Sequence, residues 1–136
     1  MSRSSAPSPI VIDASALVEL LLRTDAGARV ARAIDGAPLV APDVVNPEVM
    51  QSLRGLERGG KLTGARASRA VARLAESDVA CVPTRALLRE MWSLRTNLSA
   101  YDACYVALAR ALGAPLLTSD RRLSRAPGLD VTLVQV

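Results

Sequence analysis

Four acidic side chains, Asp13, Glu48, Asp102 and Asp120, each stand where an apolar run ends or a helix begins. Gathered by a fold, they make a pocket of hard oxygen ligands. Carboxylates a few Å apart repel strongly, and a proton or a bound cation must relieve that repulsion. A divalent metal site is the reading that uses all four together. The chain around them is basic, with sixteen arginines, one lysine, no histidine, a net charge of +4 and a pI near 9.8. An acidic pocket in a basic protein points to a magnesium-dependent enzyme acting on nucleic acid, because arginine is the side chain best suited to bidentate phosphate contacts. The ordinary alternative for the arginines is codon bias, since GC-rich coding inflates Ala, Arg, Gly and Pro together.

Each acid also has an ordinary explanation on its own. Asp102 fits the N3 member of a capping box opened by Ser99, and Glu48 fits a favourable charge at a helix N-terminus. Asp13 and Asp120 fit turn or N-cap positions after their strands. Asp13 fits this explanation least well, because it ends an apolar strand and precedes more apolar sequence, where an unpaired charge is costly.

The elements that must position these acids alternate between short strands and helices. Pro9 to Ile12 predicts a buried strand, after which Ser15 caps a helix carrying Leu17, Val18, Leu21 and Leu22. A second helical pattern runs through Ile34 to Gly36, and Leu39 to Ala41 predicts the next strand. A helix then begins near Asp43, or at Asn46 as N-cap with Pro47 first in the helix, and stops at Gly59-Gly60. Helices follow over 63–76 and 85–94, with a strand over 79–82 between them. Ser99 opens the helix that Gly113 closes, and strands are predicted over 115–118 and 131–134. Such alternation calls for a parallel sheet of four to five short strands covered on both faces. In that architecture a ligand site lies beyond the carboxyl ends of the strands, at the topological switch point.

A chain of 136 residues is the size of one domain, read as 9–136 behind a disordered lead of residues 1–8. No stretch approaches the roughly twenty apolar residues that span a bilayer, and the N-terminus has no signal-peptide pattern. A soluble, cytoplasmic protein is expected. Cys81 and Cys104 are too few for a zinc site and read as buried free thiols. With no Phe, the core must be aliphatic, and Trp92, Tyr101 and Tyr105 are the only aromatics, so base stacking is a weak expectation.

Four segments, in order, resemble the acidic motifs of PIN-domain ribonucleases, most closely the VapC toxins of bacterial type II toxin-antitoxin systems. They are Ile-Val-Ile-Asp-Ala-Ser-Ala-Leu (10–17), Pro-Glu-Val-Met-Gln-Ser-Leu-Arg (47–54), Asn-Leu-Ser-Ala-Tyr-Asp-Ala-Cys-Tyr-Val-Ala-Leu-Ala (97–109) and Leu-Leu-Thr-Ser-Asp-Arg-Arg-Leu (116–123). The resemblance implies a three-layer α/β/α fold and cleavage of single-stranded or loop RNA with Mg2+ or Mn2+. On this chain, Asp13, Glu48, Asp102 and Asp120 would hold the metal, with Ser15 and Thr118 supporting the acidic pocket. It further implies a VapB-like antitoxin partner and a homodimer.

The chemistry expected of such a site is phosphodiester hydrolysis by in-line attack, leaving a 5'-phosphate and a 3'-hydroxyl. Asp13 and Asp102 are the principal ligands in this scheme, while Glu48 and Asp120 complete the site or orient the water. The lack of histidine argues against a metal-independent ribonuclease. Arg95, Arg121 and Arg122 are the expected RNA contacts by their nearness in sequence to Asp102 and Asp120. Two other readings compete. One is a catalytically silent PIN-like domain that binds RNA or protein. The other is a phosphoryl-transfer or receiver domain with Asp13 as nucleophile, which usually wants a lysine near the phosphate, whereas Lys61, the only lysine, sits beside a Gly-Gly turn.

Overall fold

The computed structural model describes residues 7–136. Residues 1–6 of the expected lead lie outside the described residues, and Pro7 and Ser8 are exposed without regular structure. Strand β1 (Ile10–Ile12) is followed by helices α1 (Ala14–Leu22) and α2 (Asp25–Ile34), then β2 (Leu39–Pro42), α3 (Val45–Arg58) and α4 (Gly64–Glu76). After β3 (Ala80–Val82) come a 3-10 turn (Arg85–Leu87), α5 (Leu88–Ser93), α6 (Ala100–Leu112), β4 (Leu116–Thr118), α7 (Arg121–Ser124) and β5 (Leu133–Gln135).

The five strands form one parallel sheet in the order β3-β2-β1-β4-β5. From β1 the chain winds outward to β3, then returns to place β4 on the other side of β1. Right-handed crossovers therefore put α1 to α4 on one face and α5 and α6 on the other, giving three layers. The packing follows this division, with α1 against α2, α3 and α4, and α5 against α6. The switch point lies between β1 and β4.

The strands are short and apolar because both of their faces are covered. Val11, Ile12, Leu116 and Leu117 are fully buried, and Leu17, Val30, Val45, Val49 and Leu53 fill the helical layer beside them. On the opposite face α6 buries every residue from Ala103 to Ala109, as a helix apolar all round must do. Gly113, at φ +59°, ends that helix in the left-handed conformation.

Several boundaries differ from the sequence reading. The cap of α1 is Asp13, whose carboxylate accepts from the Ala16 amide, so Ser15 lies inside the first turn instead of capping it. Helix α3 begins at Val45, and Asn46 is not its cap. Pro47 is the third residue of α3, still in the first turn, where its missing N–H removes no helical bond. The segment 85–94 splits into a 3-10 turn and α5. Helix α7 had no apolar period to announce it, being a single turn capped by Asp120. Cys104 is buried as expected, but Cys81 is exposed, because β3 is an edge strand.

Arginine does structural work as well. Arg73 and Arg66 of α4 donate to the Leu21 and Leu22 carbonyls at the end of α1, at 2.7 and 3.2 Å. Arg110 pairs with Glu90 at 2.6 Å and donates to the Leu129 and Gly128 carbonyls, tying the β4–β5 connection to α6. These three serve as helix caps and struts.

Candidate active site

Parallel pairing sets Ile12 beside Leu117, and the Asp13 amide donates to the Leu117 carbonyl at 3.1 Å. That register brings the side chain of Thr118, at the end of β4, against Asp13 at the end of β1. The N-termini of α3 and α6 lie at the same carboxyl edge, since α3 leaves β2 and α6 returns toward the start of β4. Asp13, Glu48, Asp102 and Asp120 thus line one pocket of about 310 Å3, together with Ser15, Tyr105 and Arg122.

Asp13 is the most enclosed acid, only 6 % exposed. Its Oδ1 accepts from the Ser15 hydroxyl at 2.7 Å and the Ala16 amide at 3.0 Å, and its Oδ2 accepts from the Thr118 hydroxyl. Each hydroxyl spends its one proton on Asp13 and accepts a backbone N–H in turn, Ser119 N to Ser15 Oγ at 3.0 Å and Asp120 N to Thr118 Oγ1 at 2.9 Å. The turn after β4 is thereby laced to the first turn of α1. Burial pushes the Asp13 carboxyl above its ordinary value. The bonds from Thr118, Ala16 and Ser15 pull it back in part, and the Asp120 charge adds to the rise.

Glu48, in the first turn of α3, accepts a hydrogen bond on Oε1 from the Tyr105 hydroxyl. Its carboxyl is also raised, first by burial and then by the charges of Asp102 and Asp13, while the Tyr105 bond lowers it. Tyr105 itself is 2 % exposed and pushed well above the usual phenol range by burial and by Glu48. The sequence reading missed Tyr105 as a site residue. Its position three residues after Asp102, on a helix beginning at the pocket, was the available signal.

Asp102 and Asp120 are more open. Ser99 Oγ accepts from the Asp102 amide at 3.1 Å, so half of the expected capping box forms. The Asp102 carboxylate turns instead to Arg122, at 3.0 Å. Asp120 accepts on Oδ1 from the amides of Arg122 and Leu123, and its Oδ2 meets the Arg122 guanidinium at 3.2 Å. Arg122 therefore bridges two of the four acids from a position that is 74 % exposed.

Of the other two arginines singled out from sequence, neither lines the pocket. Arg121 opens α7 and is exposed. Arg95 lies over the Trp92 ring, 4.6 Å from its centre, and donates to the Trp92 carbonyl at 3.0 Å.

The donor chemistry fits a hard divalent cation: oxygen ligands alone, crowded enough that each of Asp13 and Glu48 feels its acidic neighbours. Among the described residues no three acids are placed to grip one ion together as they stand. The guanidinium of Arg122 lies between Asp102 and Asp120 and meets the charge of both.

Fold and pocket together define a class, that of α/β/α proteins which gather carboxylates at the switch point of a parallel sheet. The sequence profile of the PIN domain matches residues 10–129, and the chain belongs to the PIN-domain family. It is 39 % identical to Ribonuclease VapC3 of Mycobacterium tuberculosis over 126 residues, covering 92 % of each chain. It is 42 % identical to Ribonuclease VapC9 of the same species over 115 residues, covering 85 % of this chain and 88 % of that one. Among solved structures, VapC20 of M. tuberculosis, described as a sarcin-ricin loop cleaving toxin, superposes with a TM-score of 0.63 at 21 % identity, covering 85 % of this chain and 92 % of that one. VapBC2 of Rickettsia felis, bound to a DNA fragment from its promoter, gives 0.66 at 14 % identity, covering 93 % and 98 %. Both structures show the same fold.

Proposed function

We propose that this protein is an endoribonuclease that cleaves single-stranded or loop RNA with Mg2+ or Mn2+, and that it is the toxin of a VapBC-type pair. The observation that carries this reading is the single pocket shared by Asp13, Glu48, Asp102 and Asp120 at the switch point of the sheet. The names of the VapC relatives support the activity. The likeness to a VapBC structure accords with a VapB-like antitoxin partner. A homodimer and a cytoplasmic location belong to the same proposal. Among the described residues no helix is long and apolar enough to cross a membrane.

Asp13 and Asp102 are the principal metal ligands in this reading, with Asp120 completing the set. A divalent ion held there supplies charge neutralisation at the scissile phosphate and acidifies water. The residues do the positioning. Thr118, Ser15 and the Ala16 amide fix both oxygens of Asp13, which leaves its carboxylate little freedom to swing away from a ligand. Tyr105 fixes one oxygen of Glu48 and leaves the other free to receive the proton of the attacking water. Arg122, which pairs with Asp102 and Asp120, would be free to contact a phosphate were those acids to hold a metal. Arg95 and Arg121, outside the pocket lining, would contact RNA beyond it.

Incubation with total cellular RNA, with and without Mg2+, followed by mapping of the cut ends, tests the proposal. Discrete 5'-phosphate ends are expected with Mg2+ only. Metal-independent cutting, or equal cutting by Asp13→Asn, removes this site from the chemistry.

A further inference from the structure

Beside the acid pocket lies a second cleft, of about 520 Å3, that the chemistry above does not use. Asp43 after β2, Thr84 and Arg85 of the turn after β3, Met91 of α5, and Tyr101 and Cys104 of α6 form its walls. The first turns of α6 divide the two. Tyr101 and Cys104 face the cleft, whereas Asp102 and Tyr105 face the acids, so a chain crossing the α6 N-terminus passes from one to the other.

Tyr101 is the one aromatic on the cleft wall, and the other exposed aromatic, Trp92, follows Met91 on α5 without lining the cleft. Tyr101 is 60 % and Trp92 67 % exposed, and Arg95 lies on the Trp92 face. Arg85, Arg89 and Arg95 form no ion pair among the described residues, and Glu90, the acid nearest them in sequence, is taken by Arg110. An aromatic ring in a cleft, Arg85 on the same wall without an ion pair, and an acid pocket next door make a stacking site with one phosphate contact, beside which Asp43 is the one acidic wall residue.

We infer that this cleft is a base-binding subsite, in which an unpaired base of the RNA stacks on Tyr101 while Arg85 meets an adjoining phosphate. The inference rests on the ribonuclease reading and deepens it, because it sets a requirement for a splayed, unstacked nucleotide beside the cut. Exposed Trp, Tyr and Arg also suit protein partners. Arg85 on the cleft wall and the continuity with the acid pocket favour a nucleic-acid strand here.

The test uses the full chain carrying Asp13→Asn, a short unstructured oligoribonucleotide, and Trp92 fluorescence together with the anisotropy of labelled RNA, read across a salt series. Tyr101→Ala should weaken binding ~10-fold without changing the salt slope, since it removes no charge. Tyr101→Phe should restore affinity. Arg85→Ala should lower the log-log slope by about 0.7, the value for one phosphate of a single strand. Circular dichroism checks folding, and the exposure of Tyr101 leaves little to destabilise. Parental affinity in Tyr101→Ala overturns the subsite alone. So does unchanged RNA affinity with loss of dimer or antitoxin binding, which assigns the face to a protein. Absence of RNA affinity in the parent overturns the subsite and the ribonuclease reading together.

Discussion

The acid pocket has two halves that manage negative charge by different means. In the inner half, Asp13 and Glu48 are held by uncharged donors, the hydroxyls of Ser15, Thr118 and Tyr105 and the Ala16 amide, and both carboxyls are raised. In the outer half, Asp102 and Asp120 are 17 % and 29 % exposed and share the guanidinium of Arg122. Fixed dipoles hold geometry without cancelling charge, so the inner pair still calls for a proton or a cation to relieve its repulsion. The outer pair meets that demand with a flexible side chain that water and salt can replace. The halves differ accordingly in what each substitution should cost.

The largest effect is expected for Asp13→Asn. Loss of a principal ligand removes several kcal/mol of charge stabilisation, so cleavage should fall ~10³-fold, as measured on a defined RNA. The fold should survive, because asparagine also caps helices. Linkage gives the stability a sign. Raised carboxyls contribute stability at pH values below the ordinary carboxylate range, and it is lost as pH rises through each raised pKa. The metal-free parent should therefore lose Tm as pH climbs above ~4, and Asp13→Asn should flatten that decline. A parent whose Tm in chelator does not fall with pH would show that the inner pair carries no strain.

Thr118→Val breaks the inner half without touching an acid. Thr118 is fully buried, and valine leaves Asp13 Oδ2 without its donor and the Asp120 amide without its acceptor. Roughly 2 kcal/mol of stability should be lost in denaturant titration, with Thr118→Ser restoring most of it. Tyr105→Phe is gentler. It keeps the buried ring and removes one bond to Glu48, so cleavage should drop about 10-fold with little change in Cm. Because that bond lowers the Glu48 pKa, its loss should move the acidic limb of the pH–rate profile toward higher pH.

Much of this was legible in the sequence, for identifiable reasons. The strands ending at Asp13 and Thr118 are unbroken apolar runs, which only a sheet covered on both faces explains, and the parallel sheet follows from their alternation with helices. The four acids could be named because each punctuates such an element. What the sequence concealed depends on register and on side-chain competition. Ser15 looked like the cap of α1, but the helix starts at Ala14 with Asp13 as its cap, and Ser15 donates its hydroxyl to that carboxylate. Tyr105 stood out only as one of the three aromatics available for base stacking, but it is core, and its hydroxyl end reaches Glu48 across 57 residues of chain. Arg95 and Arg122 looked equivalent by their nearness in sequence to Asp102 and Asp120, but one stacks on Trp92 and the other bridges two acids. No periodicity encodes that difference.

The smallest effect, and the one that most sharpens the contrast, belongs to Arg122→Ala. If Arg122 stands in for a cation in the outer half, its removal leaves Asp102 and Asp120 facing each other with nothing to displace. Mn2+ should then bind about 2- to 5-fold more tightly by calorimetry, the scale of an exposed ion pair, and the metal-induced rise in Tm should grow. Both differences should shrink as salt is raised, because the pair being replaced is exposed. RNA affinity should move in the opposite sense, with the salt slope reduced by about 0.7 if the released guanidinium takes one phosphate. Equal Mn2+ affinity in parent and variant would separate Arg122 from the metal and leave it as a phosphate contact alone. A tighter metal site with an unchanged RNA slope would make it a placeholder that contributes nothing to substrate.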